Sequence, residues 1–166
     1  MRVADYIIDY LYRQGVTTVF MGSGGGMMYL SDAVKKHEKI RPISFHHEQG
    51  AGYAAVGYAK YTNTPAVCIV TSGCGGTNAM TPLLVAYQDY VPVIFIQGQT
   101  DSKYKDNTAR KFGVQGMNIK AMVESMADYY DLETGVDIAT IFENCRKTNK
   151  PAWLEIPIFY QCKELS

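Results

Sequence analysis

Glu48 stands in the stretch Phe45-His46-His47-Glu48-Gln49-Gly50-Ala51, between a short β-like run, Pro42-Ile43-Ser44, and a small-residue segment that reads as a closely packed helix. An acidic residue in a first helical turn is ordinary, because the helix dipole favours it there. The neighbours reverse that weighting. Gly50, Ala51, Gly52, Ala54 and Ala55 leave room for something bulky against the backbone, and glycine inside a helix is costly unless close packing or a ligand compensates. Glu48 therefore reads as a buried acid held for chemistry.

Two glycine-rich loops accompany it. Met21-Gly22-Ser23-Gly24-Gly25-Gly26 lies between a strand-like run at 16–20 and a helical pattern at 27–34. Thr71-Ser72-Gly73-Cys74-Gly75-Gly76-Thr77-Asn78 follows the apolar run Ala66–Val70 and precedes a helix through residues 83–87. Strand, glycine loop, helix is the context in which a phosphate or another ligand meets a helix N-terminus. The spacing is not G-x-G-x-x-G and no acidic residue follows at the end of a second strand, so a dinucleotide site is poorly supported.

The elements that must position these residues alternate along the chain. Helical spacing over 4–11 ends at Gln14-Gly15. Ala66–Val70 is nearly continuous in apolar residues, as expected for a parallel strand covered on both faces. A further buried strand covers 91–96, closed by Gly98-Gln99-Thr100; Pro92 is tolerable only at its start. Residues 101–116 are polar and irregular, with Lys103, Lys105, Arg110 and Lys111, and a run of this length in a compact domain is either functional or a solvated loop. A short helix within 117–126, an edge strand at 127–132, an amphipathic helix at 136–146 opened by Thr134-Gly135, and a last strand Ala152–Pro157 complete the pattern. The alternation predicts an α/β fold in three layers, α/β/α, doubly wound around a parallel sheet of about six strands. Right-handed crossovers then gather residues 22–26, Glu48, residues 71–78 and 98–99 at one edge of the sheet.

Composition narrows the function classes. The 166 residues carry 16 Lys and Arg against 16 Asp and Glu, with no basic stripe for nucleic acid. No apolar run approaches the ~20 residues that span a bilayer, and the chain opens directly into a helix instead of a signal-peptide pattern. Cys68, Cys74, Cys145 and Cys162 form no C-x-x-C pair, which argues against a zinc site or a disulfide framework. The expectation is a cytoplasmic protein of one domain, residues 1–166, that binds neither nucleic acid nor membrane.

Taken together, Phe20-Met21-Gly22-Ser23-Gly24-Gly25, His47-Glu48-Gln49-Gly50-Ala51, Gly57-Tyr58-Ala59, the loop 71–78, Gly98-Gln99 and Leu154-Glu155-Ile156-Pro157 resemble, in order and spacing, the N-terminal pyrimidine-binding domain of thiamine diphosphate enzymes, the acetolactate synthase group most closely. The resemblance implies that Glu48 is catalytic: it hydrogen-bonds N1′ of the aminopyrimidine and promotes the 4′-imino tautomer that removes the thiazolium C2 proton. Burial would favour that role by raising the carboxyl pKa. It implies that Gly22, Ser23, Gly24, Glu48, Ser72, Gly73, Cys74 and Asn78 line the cofactor, and that Gln115 and His47 face a 2-keto acid substrate. The cofactor implied is thiamine diphosphate with Mg2+, and FAD is left open.

Departures accompany the resemblance. Ser23 and Cys74 replace prolines usual in the two glycine loops, and Val114 stands where acetolactate synthases commonly carry phenylalanine, which leaves the keto acid undefined. No Gly-Asp-Gly motif for the Mg2+-diphosphate occurs. The expected partner is therefore a diphosphate-binding domain or subunit, in a homo-oligomer, with this chain either an excised domain or one chain of a split enzyme of the sulfopyruvate decarboxylase type. The other reading is a non-catalytic binding or regulatory module that keeps the fold.

Overall fold

The computed structural model describes residues 1–105 and 113–165. Six strands form one all-parallel sheet: β1 (Thr18–Met21), β2 (Arg41–Ser44), β3 (Ala66–Val70), β4 (Val93–Gln99), β5 (Asp128–Asp131) and β6 (Ala152–Pro157), in the order β2-β1-β3-β4-β6-β5. The central strands β3, β4 and β6 are buried along their whole length. The edge strands β2 and β5 are polar and part-exposed, which protects open strand edges from pairing with other chains.

Helices cover both faces. Helices α1 (Val3–Arg13), α2 (Met28–Lys36), α7 (Ile138–Thr148) and the short α8 (Ile158–Gln161) pack on one, with Ile7, Leu11, Leu30, Ile94, Ile96 and Leu154 in the shared core. On the other lie α3 (Glu48–Thr62), α4 (Cys74–Asn78), α5 (Met80–Gln88) and α6 (Lys120–Val123), around a core that includes Val56, Leu83, Phe95 and Trp153. Trp153 stacks on Phe95 with ring centroids 5.6 Å apart and planes 15° from parallel.

Gly52 of α3 answers the question raised by the composition of that helix. A Cβ at Gly52 would lie 2.4 Å from Pro82 Cγ of α5. Close helix–helix packing, rather than a ligand, is what the small residue accommodates there.

Several elements differ from expectation. Strand β4 runs on through Gln97, Gly98 and Gln99, because its ladder with β6 continues to the pair Gln99 and Pro157. The second glycine loop is helical from Cys74, turned by the bonds Gly75 N–H to Ser72 O and Thr77 N–H to Gly73 O. Asp137, not Thr134-Gly135, precedes α7, and Thr134-Gly135 belongs to a separate 3₁₀ turn. Helix α8 was not anticipated. Lys103 and Lys105 of the polar segment are described, whereas Arg110 and Lys111 lie outside the described residues.

Candidate active site

Strand β2 ends at Ser44 and the chain turns through His46 and His47 into α3, whose first residue is Glu48. His47 is extended and caps the helix: its Nδ1 accepts the Gln49 backbone N–H at 3.2 Å. Glu48 is thereby fixed at the carboxyl edge of the sheet, facing the start of the second glycine loop.

The Glu48 carboxylate is asymmetric. Oε2 accepts a hydrogen bond from Asn78 Nδ2 at 3.0 Å. Among the described residues Oε1 has no such donor, and it lies against two glycine backbones. A Cβ at Gly22 would come within 3.0 Å of Glu48 Cγ and 3.1 Å of Oε1, and one at Gly75 within 3.4 Å of Oε1 and 2.6 Å of Thr71 Cγ2. One oxygen is tied and the other faces walls without side chains, an arrangement suited to sharing a proton with the nitrogen of a flat ring. Beneath it, burial and then the Glu48 charge push the Cys68 thiol well above its usual range, so Cys68 stays a protonated core residue. Glu48 itself is half-buried, less enclosed than the sequence suggests, and complete exclusion of water needs a covering group.

Two adjoining clefts open beside it. One, of about 300 Å3, is lined by Glu48, Thr71, Ser72, Cys74, Gly75, Asn78, Val114 and Gln115. The other, of about 320 Å3, is lined by Gly24, Gly25, Gly26, Met28, Thr71, Ser72, Thr100, Gln115 and Ile158. The sequence-derived residues Glu48, Ser72, Cys74, Asn78 and Gln115 thus share the first cleft, and Gly24 walls the second. Gly22 backs the carboxylate. Gly73 adopts φ +61°, and a Cβ there would overlap the Val114 carbonyl at 2.3 Å, so glycine is required to let residues 114–115 close over the cleft. Ser23 is exposed and outside both linings, and His47 serves as the helix cap.

Thr71, placed at this edge by the sequence but not among the residues expected to line the cofactor, ties the site together. Its Oγ1 accepts the Gly26 N–H at 3.1 Å, joining the two glycine loops, and it lines both clefts. Its place at the end of a buried strand, directly before a glycine loop, is the signal that could have marked it. Among the described residues no group of three or more His, Cys, Asp or Glu side chains could hold a metal ion, and no helix is long and apolar enough to cross a membrane.

Fold and site together define an α/β domain that presents a carboxylate to ligand clefts at the carboxyl edge of a parallel sheet, the usual binding edge of such folds. Residues 1–132 match the family described as thiamine pyrophosphate enzyme, N-terminal TPP binding domain, and the chain belongs to that family. Over 96 residues it is 44% identical to acetolactate synthase, chloroplastic, of Arabidopsis thaliana and to acetolactate synthase 2, chloroplastic, of Nicotiana tabacum, and 43% identical to acetolactate synthase of Mycobacterium bovis. Each match covers 58% of this chain but only 14% of the plant proteins and 16% of the mycobacterial one. The chain spans a small part of the length of these relatives.

Proposed function

We propose that this chain is the pyrimidine-binding half of a thiamine diphosphate-dependent enzyme that decarboxylates a 2-keto acid and joins the product to an acceptor, as an acetolactate synthase does. The observation that carries this reading is the Glu48 carboxylate, tied by Asn78 at Oε2 and open at Oε1 beside Gly22 and Gly75. The volume and polar edges of the clefts support an aminopyrimidine as ligand: each encloses about 300 Å3, and Thr71, Ser72 and Asn78 offer hydrogen-bonding groups along the first.

Thiamine diphosphate, when bound, supplies an electron sink for breaking the bond beside a keto acid's carbonyl. Glu48 holds a proton between Oε1 and a ring nitrogen, while Asn78 keeps the carboxylate in the rotamer that presents Oε1. Gly22, Gly24, Ser72, Gly73 and Cys74 form the cofactor wall. Gln115 and Val114, exposed at the mouth of the first cleft, face the substrate. Mg2+ and the diphosphate belong to another domain or chain, since no Gly-Asp-Gly is present in the sequence. A homo-oligomer working in the cytoplasm completes the reading, with the exposed Tyr53, Leu84 and Tyr87 of α3 and α5 on its contact face.

Replacing Glu48 by Gln in the assembled enzyme is expected to slow exchange of the cofactor's C2 proton by at least ~100-fold, with the melting temperature nearly unchanged. NMR exchange measurements decide it. Wild-type exchange in Glu48→Gln would remove this carboxylate from the chemistry.

A further inference from the structure

The first glycine loop is tethered by a residue 135 positions away. Gln161, the last residue of α8, is fully buried, and its Nε2 donates to Gly26 O at 2.7 Å and to Ile156 O at 2.9 Å. Two carbonyl partners settle the amide's orientation, because an oxygen in that place would face two acceptors. Gly26 is thereby held on both sides, its carbonyl by Gln161 and its N–H by Thr71 Oγ1 at 3.1 Å. Beneath it β4 comes so near that a Cβ at Gly98 would stand 2.1 Å from Gly26 O. Residues 24–26 are all glycine, with no side chains to anchor them and much backbone freedom to lose, and they wall the cleft of about 320 Å3.

We infer that Gln161 is a positioning residue for this loop: through Gly26 it sets the wall of the ligand cleft without touching the ligand. The consequence for thiamine diphosphate rests on the function proposed above, whereas the tether itself does not. Gln161 lies beyond residue 132, where the family match ends.

The test compares the full chain with Gln161→Met, which keeps the volume and removes the donor. Amide hydrogen exchange at Gly26 and Met27 is expected to accelerate by about tenfold, with the amides of β3 and β4 little changed. In the assembled enzyme, KM for thiamine diphosphate should rise about fivefold with kcat within about twofold. Should Gln161→Met fail to fold, Gln161→Asn, which keeps the donor but not its reach, takes its place with the same expectation. Unchanged protection at Gly26, or equal acceleration throughout the core, overturns the inference. If Gln161→Met shows the loop effect while the wild-type protein with its partner binds no thiamine diphosphate, the proposed function is refuted and the tether stands.

Discussion

Asn78 matters through Glu48 rather than by itself. With the Nδ2 donor removed, the carboxylate is free to rotate and Oε2 competes with Oε1 for any ring nitrogen. Asn78→Ala is therefore expected to weaken cofactor binding by about tenfold, the worth of a hydrogen bond to a charged group, while urea unfolding shifts little because Asn78 is half-buried. Titration of the assembled enzyme with thiamine diphosphate measures this. The position of Glu48 at the head of a helix on the carboxyl edge of the sheet was legible from the alternation of strand and helix patterns. Its bond to Asn78 was not, since the two are 30 residues apart and only the helical turn at 74–78 brings them together. His47 has a structural task the sequence did not announce. Histidine is not among the preferred N-caps, so its capping of α3 through Nδ1 was not legible.

At the scale of elements, charge ties α1 to α2. The Arg2 guanidinium donates to Asp5 at 2.6 and 2.9 Å and pairs with Asp32 at 2.7 Å, and those bonds hold the Asp5 carboxyl below its usual range. A carboxyl depressed in the folded state adds stability above its unfolded pKa of about 3.9 and loses it as pH falls through the folded value. The melting temperatures of wild type and Asp5→Asn should thus differ at pH 7 and converge towards pH 3.

A second tie closes the other end of the sheet. Glu155 of β6 is fully buried, accepts from Lys105 Nζ and from Gln99 Nε2 at 3.3 Å, and Gln99 Nε2 also donates to Met117 O at 3.2 Å. Both flanks of the segment that carries Gln115 are therefore anchored on one carboxylate and its amide neighbour. Glu155→Leu is expected to cost about 1.5–3 kcal/mol by removing the buried carboxylate that accepts from Lys105 Nζ and Gln99 Nε2, readable in urea unfolding followed by the fluorescence of Trp153, the single tryptophan. Strands β3 and β6 were legible to the residue, as apolar runs bounded by turns. The end of β4 was not, because Gln97 looks like loop until Trp153 Nε1 donates to its Oε1 at 3.0 Å.

For the molecule as a whole, the parallel doubly wound sheet was legible from alternating patterns, but the order of its strands was not. Nothing local announces that β6 inserts between β4 and β5. That insertion puts β6 inside the sheet although the family match ends at 132. A chain cut after residue 132 loses both the partner of β5 and the cover of β4, and is expected to show no cooperative unfolding transition by circular dichroism; a sharp transition near the wild-type temperature would contradict this. The same insertion imposes a timetable on the ribosome. About 20 residues separate the end of β5 from the start of β6, which at ~5–20 residues per second is a delay of roughly one to four seconds. During it the nascent chain carries the apolar edge of β4 unpaired, so the interval before β6 emerges is when a chaperone has most to shield.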